Sequence, residues 1–174
     1  MCIVKYPMYT FCPPFLKQIP TFVSHQRESR LSCTKQNERV TFPSMKTIRP
    51  EEIKDNVFSL ISKDWMLITA EKEGKVNMMT ASWGGLGFIW NKPVATIYIR
   101  PTRYTKEFID SEETFSLNIL PKQKKSALDY CGSHSGRTED KVAATKLTVE
   151  HMNGTPWFAE SRMVLFCKKL FASS

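Results

Sequence analysis

Short apolar runs, each cut off by charged or turn-forming residues, limit what this chain can fold into. Residues 65–70, 76–82, 94–100, 114–120 and 162–171 are rich in β-branched, aromatic and long aliphatic side chains, which favour a pleated, half-buried strand. Glu71, Lys72, Glu73, Gly74 and Lys75 read as the turn between the first two runs, and Asn153-Gly154 is a strong tight-turn signal. Six or so strands with short helices between them predict a small barrel or a curled antiparallel sheet, because closure removes exposed strand edges.

The helical segments are brief. Pro50, Glu51 and Glu52 predict a helix start, with an apolar stripe at Ile53, Val57, Leu60 and Ile61. Thr102 is placed to cap a short helix running through Phe108. Residues 122–131 predict a second helix ended by Gly132, and residues 139–144 a further helical turn. Gly84 and Gly85 read as a loop. No repeat or low-complexity segment interrupts this order.

At 174 residues the chain suits one domain with a sizeable core. Residues 1–44 differ from the rest. They hold five of the ten prolines and six Lys/Arg against two Glu, so half of the formal +8 charge lies there. Pro7, Pro13, Pro14 and Pro20 interrupt the apolar helix a signal peptide would need. The expectation is that Met45 begins the native chain and that residues 1–44 are a disordered or non-native extension. A transit peptide is the competing reading, opposed by Glu28 and Glu38.

Beyond that segment the balance is 19 Lys/Arg against 15 Asp/Glu, too even to imply nucleic-acid binding without a binding module. Lys122, Lys124 and Lys125 read as a solvated helix face. No apolar run reaches the length of a membrane span. Cys2, Cys12, Cys33, Cys131 and Cys167 form an odd set without metal-ligand spacing, and His25, His134 and His151 are scattered. Reduced thiols in a cytoplasmic protein are expected, with Cys131 packed inward and without a chemical role, and no metal site.

Chemistry concentrates where two strands end. Residues 79–85, MTASWGG, and residues 100–105, RPTRYT, gather hydroxyls, backbone amides and guanidinium groups beside the flat rings of Trp83 and Tyr104. Hydroxyls, amides and guanidinium forks together receive a phosphate, and a phosphate beside a flat ring points to a nucleotide-like cofactor such as FMN. Arg103 is the strongest single candidate; its alternative is a solvated pairing with Glu107 one turn on. Trp83 could equally be a core aromatic, with Thr80 and Ser82 as ordinary strand residues.

The segments KDWMLITA, VNMMTASWGG, KPVATIYIRPTRYTKEFID, TFSLNIL, YCGSHSGRTEDK and RMVLFCKKL follow one another in order. Together they resemble the flavin reductase-like family of FMN-binding split β-barrels over residues 45–172. The resemblance implies a mainly β fold with short α-helices, a flavoredoxin-like split barrel. It implies that Thr80, Ala81, Ser82 and Trp83 line the flavin, and that Arg100, Thr102, Arg103 and Tyr104 contact phosphate and ribityl. It implies that Ser133, Ser135, Gly136, Arg137 and Lys141 close over the ligand, the alternative being a surface turn between helices. By the same resemblance the chain is a homodimer with flavin near the interface. FMN would take hydride from NADH or NADPH and pass electrons onward, with no fixed catalytic acid or base. An electron carrier without a nicotinamide step, and an inactive fragment, are the alternatives. Family chains continue beyond the 162–171 strand, so the domain at 45–174 is expected to be truncated and its barrel incomplete at the C-terminus.

Overall fold

The computed structural model describes the backbone of residues 2–7 and the whole of residues 46–173. Ten strands are present among them: β1 (Cys2–Pro7), β2 (Met66–Lys72), β3 (Lys75–Ala81), β4 (Gly84–Ile89), β5 (Lys92–Ile99), β6 (Thr114–Ile119), β7 (Val149–Met152), β8 (Thr155–Phe158), β9 (Met163–Lys168) and β10 (Phe171–Ser173). The helices are α1 (Val57–Ser59), α2 (Thr105–Ser111), α3 (Lys125–Ser133) and α4 (Lys141–Thr145). All strand pairs are antiparallel. They form two four-stranded sheets, ordered β10-β1-β5-β4 and β3-β2-β6-β9, plus the β7-β8 hairpin. The pairings do not join the two larger sheets, so the barrel is open rather than closed.

Local chemistry sets the tight turns. Glu73-Gly74, Trp90-Asn91 and Asn153-Gly154 all have positive φ and join directly paired strand ends. Two left-handed residues in succession match the right-handed twist of the flanking strands. β2 is buried on both faces, and its alternation distributes side chains between two cores. Met66, Ile68 and Ala70 join Met79, Ile97, Phe108, Phe115 and Leu117 between the sheets and α2. Leu67 joins Met78, Leu128, Cys131 and Phe158 beneath α3. Each buried Leu, Ile, Met or Phe of this kind contributes about 1.5–3 kcal/mol. Asn118 binds the second layer to the sheet: its amide donates to Thr69 and Ser116, and its oxygen accepts from the Phe158 N–H and the Ser161 hydroxyl.

Several expectations are corrected. The helix foreseen from Pro50 is a 3-10 turn (Pro50–Glu52) that ends at the extended Ile53, followed by a fresh start at α1. Asn56 caps that start by accepting from the Ser59 N–H, and a π turn (Leu60–Asp64) follows. The apolar stripe survives the break, with Leu60 and Ile61 buried. Gly84 and Gly85 begin β4 rather than a loop. A β-carbon on Gly84 would lie 2.6 Å from the Thr96 carbonyl oxygen, so only glycine lets β4 approach β5 here. Gly132 lies inside α3 instead of ending it, and α2 begins at Thr105 without a side-chain cap from Thr102. The last strand divides at residues 169–170, where pairing passes from β6 to β1.

The strand β1 lies in the segment read as an extension, and proline-rich composition gave no sign of it. The remainder of that reading, with Met45, Cys12, Cys33 and His25, lies outside the described residues. Cys131 and Cys167 are free and buried, and Cys131 packs inward as expected. Among the described residues no helix is long and apolar enough to cross a membrane.

Candidate functional site

A cleft of about 270 Å³ opens where β3, the β5–α2 turn and the α3–α4 connection meet. Met79 lies among its walls, with Arg100, Thr102, Arg103, Tyr104 and Thr105 from one side and Ser133, His134, Ser135, Gly136 and Lys141 from the other. Three tight elements bring these together. Arg103 donates its N–H to the Arg100 carbonyl at 3.0 Å, folding residues 100–103 into a turn ahead of α2. Asp140 caps α4 by accepting from the Ala143 N–H at 3.1 Å, which fixes Lys141 at the first helical position. Asn77 on β3 donates to the Thr105 hydroxyl at 2.9 Å and abuts Gly136.

The two cations deepest in the cleft are held by the carboxyl end of α3. Arg103 donates to the Gly132 carbonyl at 3.1 Å. Lys141, 4% exposed, donates to the carbonyls of Cys131 and His134, each at 3.4 Å. Neither has a carboxylate within ion-pair distance among the described residues. Helix-end carbonyls orient cations and stabilise them modestly, but dipoles do not neutralise a buried charge. Burial therefore holds the Lys141 ammonium below the ordinary lysine pKa, with the Arg103 guanidinium pushing the same way. Burial pushes the neighbouring Cys131 thiol up to about 11, so it is neutral and unreactive near pH 7. Two cations without a carboxylate partner among the described residues, a third at the rim and several hydroxyls give the cleft the chemistry to receive an anion.

The wall at residues 133–137 is latched from two sides. Lys75 donates to the Gly136 carbonyl at 3.1 Å and stands 5.0 Å from the Tyr104 ring centre. Arg137 lies 4.8 Å from the same ring centre, donates to the Thr102 carbonyl at 3.3 Å and ion-pairs with Glu107. Glu107 thus engages Arg137, and Arg103 is left to the cleft. His134 stacks on Tyr130 at 4.0 Å, and the Tyr130 hydroxyl donates to Glu139.

Of the residues singled out in the sequence, Arg100, Thr102, Arg103, Tyr104, Ser133, Ser135, Gly136 and Lys141 meet in the cleft. Thr80, Ala81, Ser82, Trp83 and Arg137 do not line it. Thr80 donates to the Leu128 carbonyl, and Ala81 is buried in the inter-sheet core. Ser82 is half-buried at the end of β3. Trp83 is 54% exposed beneath the Arg100 guanidinium, 5.2 Å from ring centre to carbon. Lys75, Asn77, Thr105 and His134 were missed. Adjacency to a motif could have found Thr105 and His134, whereas Lys75 and Asn77 engage the site through bonds to Gly136 and Thr105, 61 and 28 positions away.

This open two-sheet fold with its basic cleft defines a β domain able to hold a small anionic molecule. Residues 58–171 match the flavin reductase like domain, and the chain belongs to that family. Solved structures share its fold. An FMN-binding domain of a flavin reductases-like enzyme from Shewanella baltica is 18% identical, with a TM-score of 0.54 over 67% of this chain and 71% of that one. Flavoredoxin from Methanosarcina acetivorans is 22% identical, with a TM-score of 0.52 over 64% and 68%. An FMN-binding protein from Thermus thermophilus, with p-hydroxybenzaldehyde bound, is 18% identical, with a TM-score of 0.52 over 74% and 81%. No curated protein sequence matches the chain.

Proposed function

We propose that the chain binds FMN, with the flavin phosphate in the cleft, and that it acts as an NAD(P)H-dependent flavin reductase. The observation that carries this reading is Lys141, a nearly buried ammonium bonded only to carbonyl oxygens beside the Arg103 guanidinium. A phosphate of charge about −1.5 to −2 matches two such cations. Gly136 fits the same purpose, because its missing side chain lets the 133–137 wall close against Asn77.

Arg103 and Lys141 would hold the phosphate, and the hydroxyls of Thr102, Ser133 and Ser135 would complete its shell. Tyr104, braced by Lys75 and Arg137, would fix the height of the wall. Bound FMN would supply hydride acceptance and electron transfer. The chain's own residues bind and orient, and none is required as a general acid or base.

The homodimer belongs to the same proposal. β4 is an edge strand, and Phe88, Trp90 and Trp83 on or beside it are 68%, 69% and 54% exposed. A second copy would cover this surface and shelter the flavin ring. A cytoplasmic setting fits the free Cys131 and Cys167.

The fold shared with flavoredoxin favours a second reading, an FMN electron carrier without a nicotinamide step. Titration with FMN, followed by anaerobic addition of NADH or NADPH, tests both. Saturable quenching of flavin fluorescence with rapid bleaching supports the reductase. Binding without bleaching supports the carrier. A folded protein that does not bind FMN overturns both.

A further inference from the structure

We propose that Arg100, seated on Trp83 at the cleft rim, recognises a second phosphate, the one on the adenosine ribose of NADPH, and thereby selects NADPH over NADH. The inference rests on the flavin reductase reading above and adds the identity of the reductant.

The charge balance leads there. Arg103 and Lys141 at the cleft floor are matched by one flavin phosphate of charge about −1.5 to −2. Arg100 lines the same cleft yet is exposed. Its guanidinium rests on the Trp83 ring, and it has no carboxylate partner among the described residues. Arg137 is different, being committed to Glu107, the Thr102 carbonyl and the Tyr104 ring. Arg100 is therefore a third cation at the site, with no carboxylate to answer it among the described residues.

Its placement suits a group that stays partly in water. A guanidinium over an indole face is held by cation–π attraction while the edge of its fork remains free. A phosphate can take that edge with two parallel hydrogen bonds. NADH carries a hydroxyl where NADPH carries this phosphate, so it leaves Arg100 hydrated and gains nothing. Discrimination thus comes from attraction to the phosphate, and it weakens with salt because the pair is exposed.

The experiment uses the FMN-loaded chain and calorimetric titration with NADP+ and NAD+, alongside FMN affinity of the cofactor-free chain. The wild type should prefer NADP+ by about tenfold or more, as a charge-assisted pair allows. Arg100→Gln should bring the two affinities together. Trp83→Leu, which keeps the charge but removes its seat, should lose part of the preference. Equal affinities in the wild type, or a preference that persists in Arg100→Gln, would overturn the assignment while leaving the flavin reading intact. A loss confined to FMN affinity in Arg100→Gln would also overturn it, by placing the guanidinium on the flavin phosphate. Failure of the wild type to bind FMN at all would overturn the flavin reading and this one with it.

Discussion

Asn77 Oδ1 stands 2.1 Å from the point where a β-carbon on Gly136 would lie. Asn77 cannot simply turn away, because it is buried and its amide donates to Thr105 on α2. One hydrogen bond therefore ties β3 to α2, and the same side chain packs against the wall of the cleft at Gly136. Gly136→Ala should cost about 1–3 kcal/mol of stability and displace the 133–137 wall. Asn77→Ala removes the obstructing oxygen, so the double variant should recover part of the loss. Chemical denaturation of the four proteins in a double-mutant cycle measures this. Strict additivity would show that the two residues do not compete for the same space.

Arg103 gives a prediction about the ligand. Arg103→Ala should weaken FMN binding by about 1.5–3 kcal/mol, the range for hydrogen bonds to charged groups. Riboflavin, which has no phosphate, should lose far less. Fluorescence titration with both flavins separates the outcomes. Equal losses would assign Arg103 to holding the Gly132 carbonyl rather than to the phosphate.

Two short connecting segments carried most of what the sequence disclosed. RPTRYT and SHSGR each contain side chains that meet in the cleft, because short turns keep neighbours together and local chemistry fixes the turn. Asn153-Gly154 was legible for the same reason. Trp90-Asn91 was not, since tryptophan gives no sign that it will take positive φ. Gly84 and Gly85 misled because glycine marks both loops and close strand contact; the Thr96 carbonyl, twelve positions from Gly84, decides between them. Lys75 and Asn77 act through Gly136 and Thr105, 61 and 28 positions away, and the partner of Glu107 lies 30 positions away in Arg137. Long-range partners of that kind leave no local pattern.

Cys131 predicts how the domain responds to alkali. Burial raises its pKa from 9.0 to about 11, with Lys141 opposing. The folded state thus favours the neutral thiol, and that contribution is complete below pH 9. Between about 9 and 11 the unfolded chain ionises while the folded chain does not, so stability falls with rising pH. Melting temperatures of Cys131→Ala should decline less steeply over this window than those of the wild type. Parallel declines would show that the thiol is not the group responsible.

Lys141 should set stability against binding. Its pKa is lowered, chiefly by burial, so the charged form is disfavoured in the fold. The sign is opposite to that of Cys131. The penalty is full below the lowered folded-state pKa, and it fades as pH rises through that pKa toward the ordinary lysine value. Lys141→Met keeps a long side chain in the same place and removes the charge. The cofactor-free variant should melt higher than the wild type at pH 7, each kcal/mol of relief reading as about 2–4 °C in a chain of this size. The gain should shrink near pH 10. Addition of FMN should reverse the order, because a phosphate bound beside Arg103 offsets the cost only where the ammonium is present. Thermal scans of both proteins at the two pH values, with and without FMN, give the full comparison. If Lys141→Met is stabilised by FMN as strongly as the wild type, the phosphate is not held by Lys141, and the buried ammonium serves only to close the carboxyl end of α3.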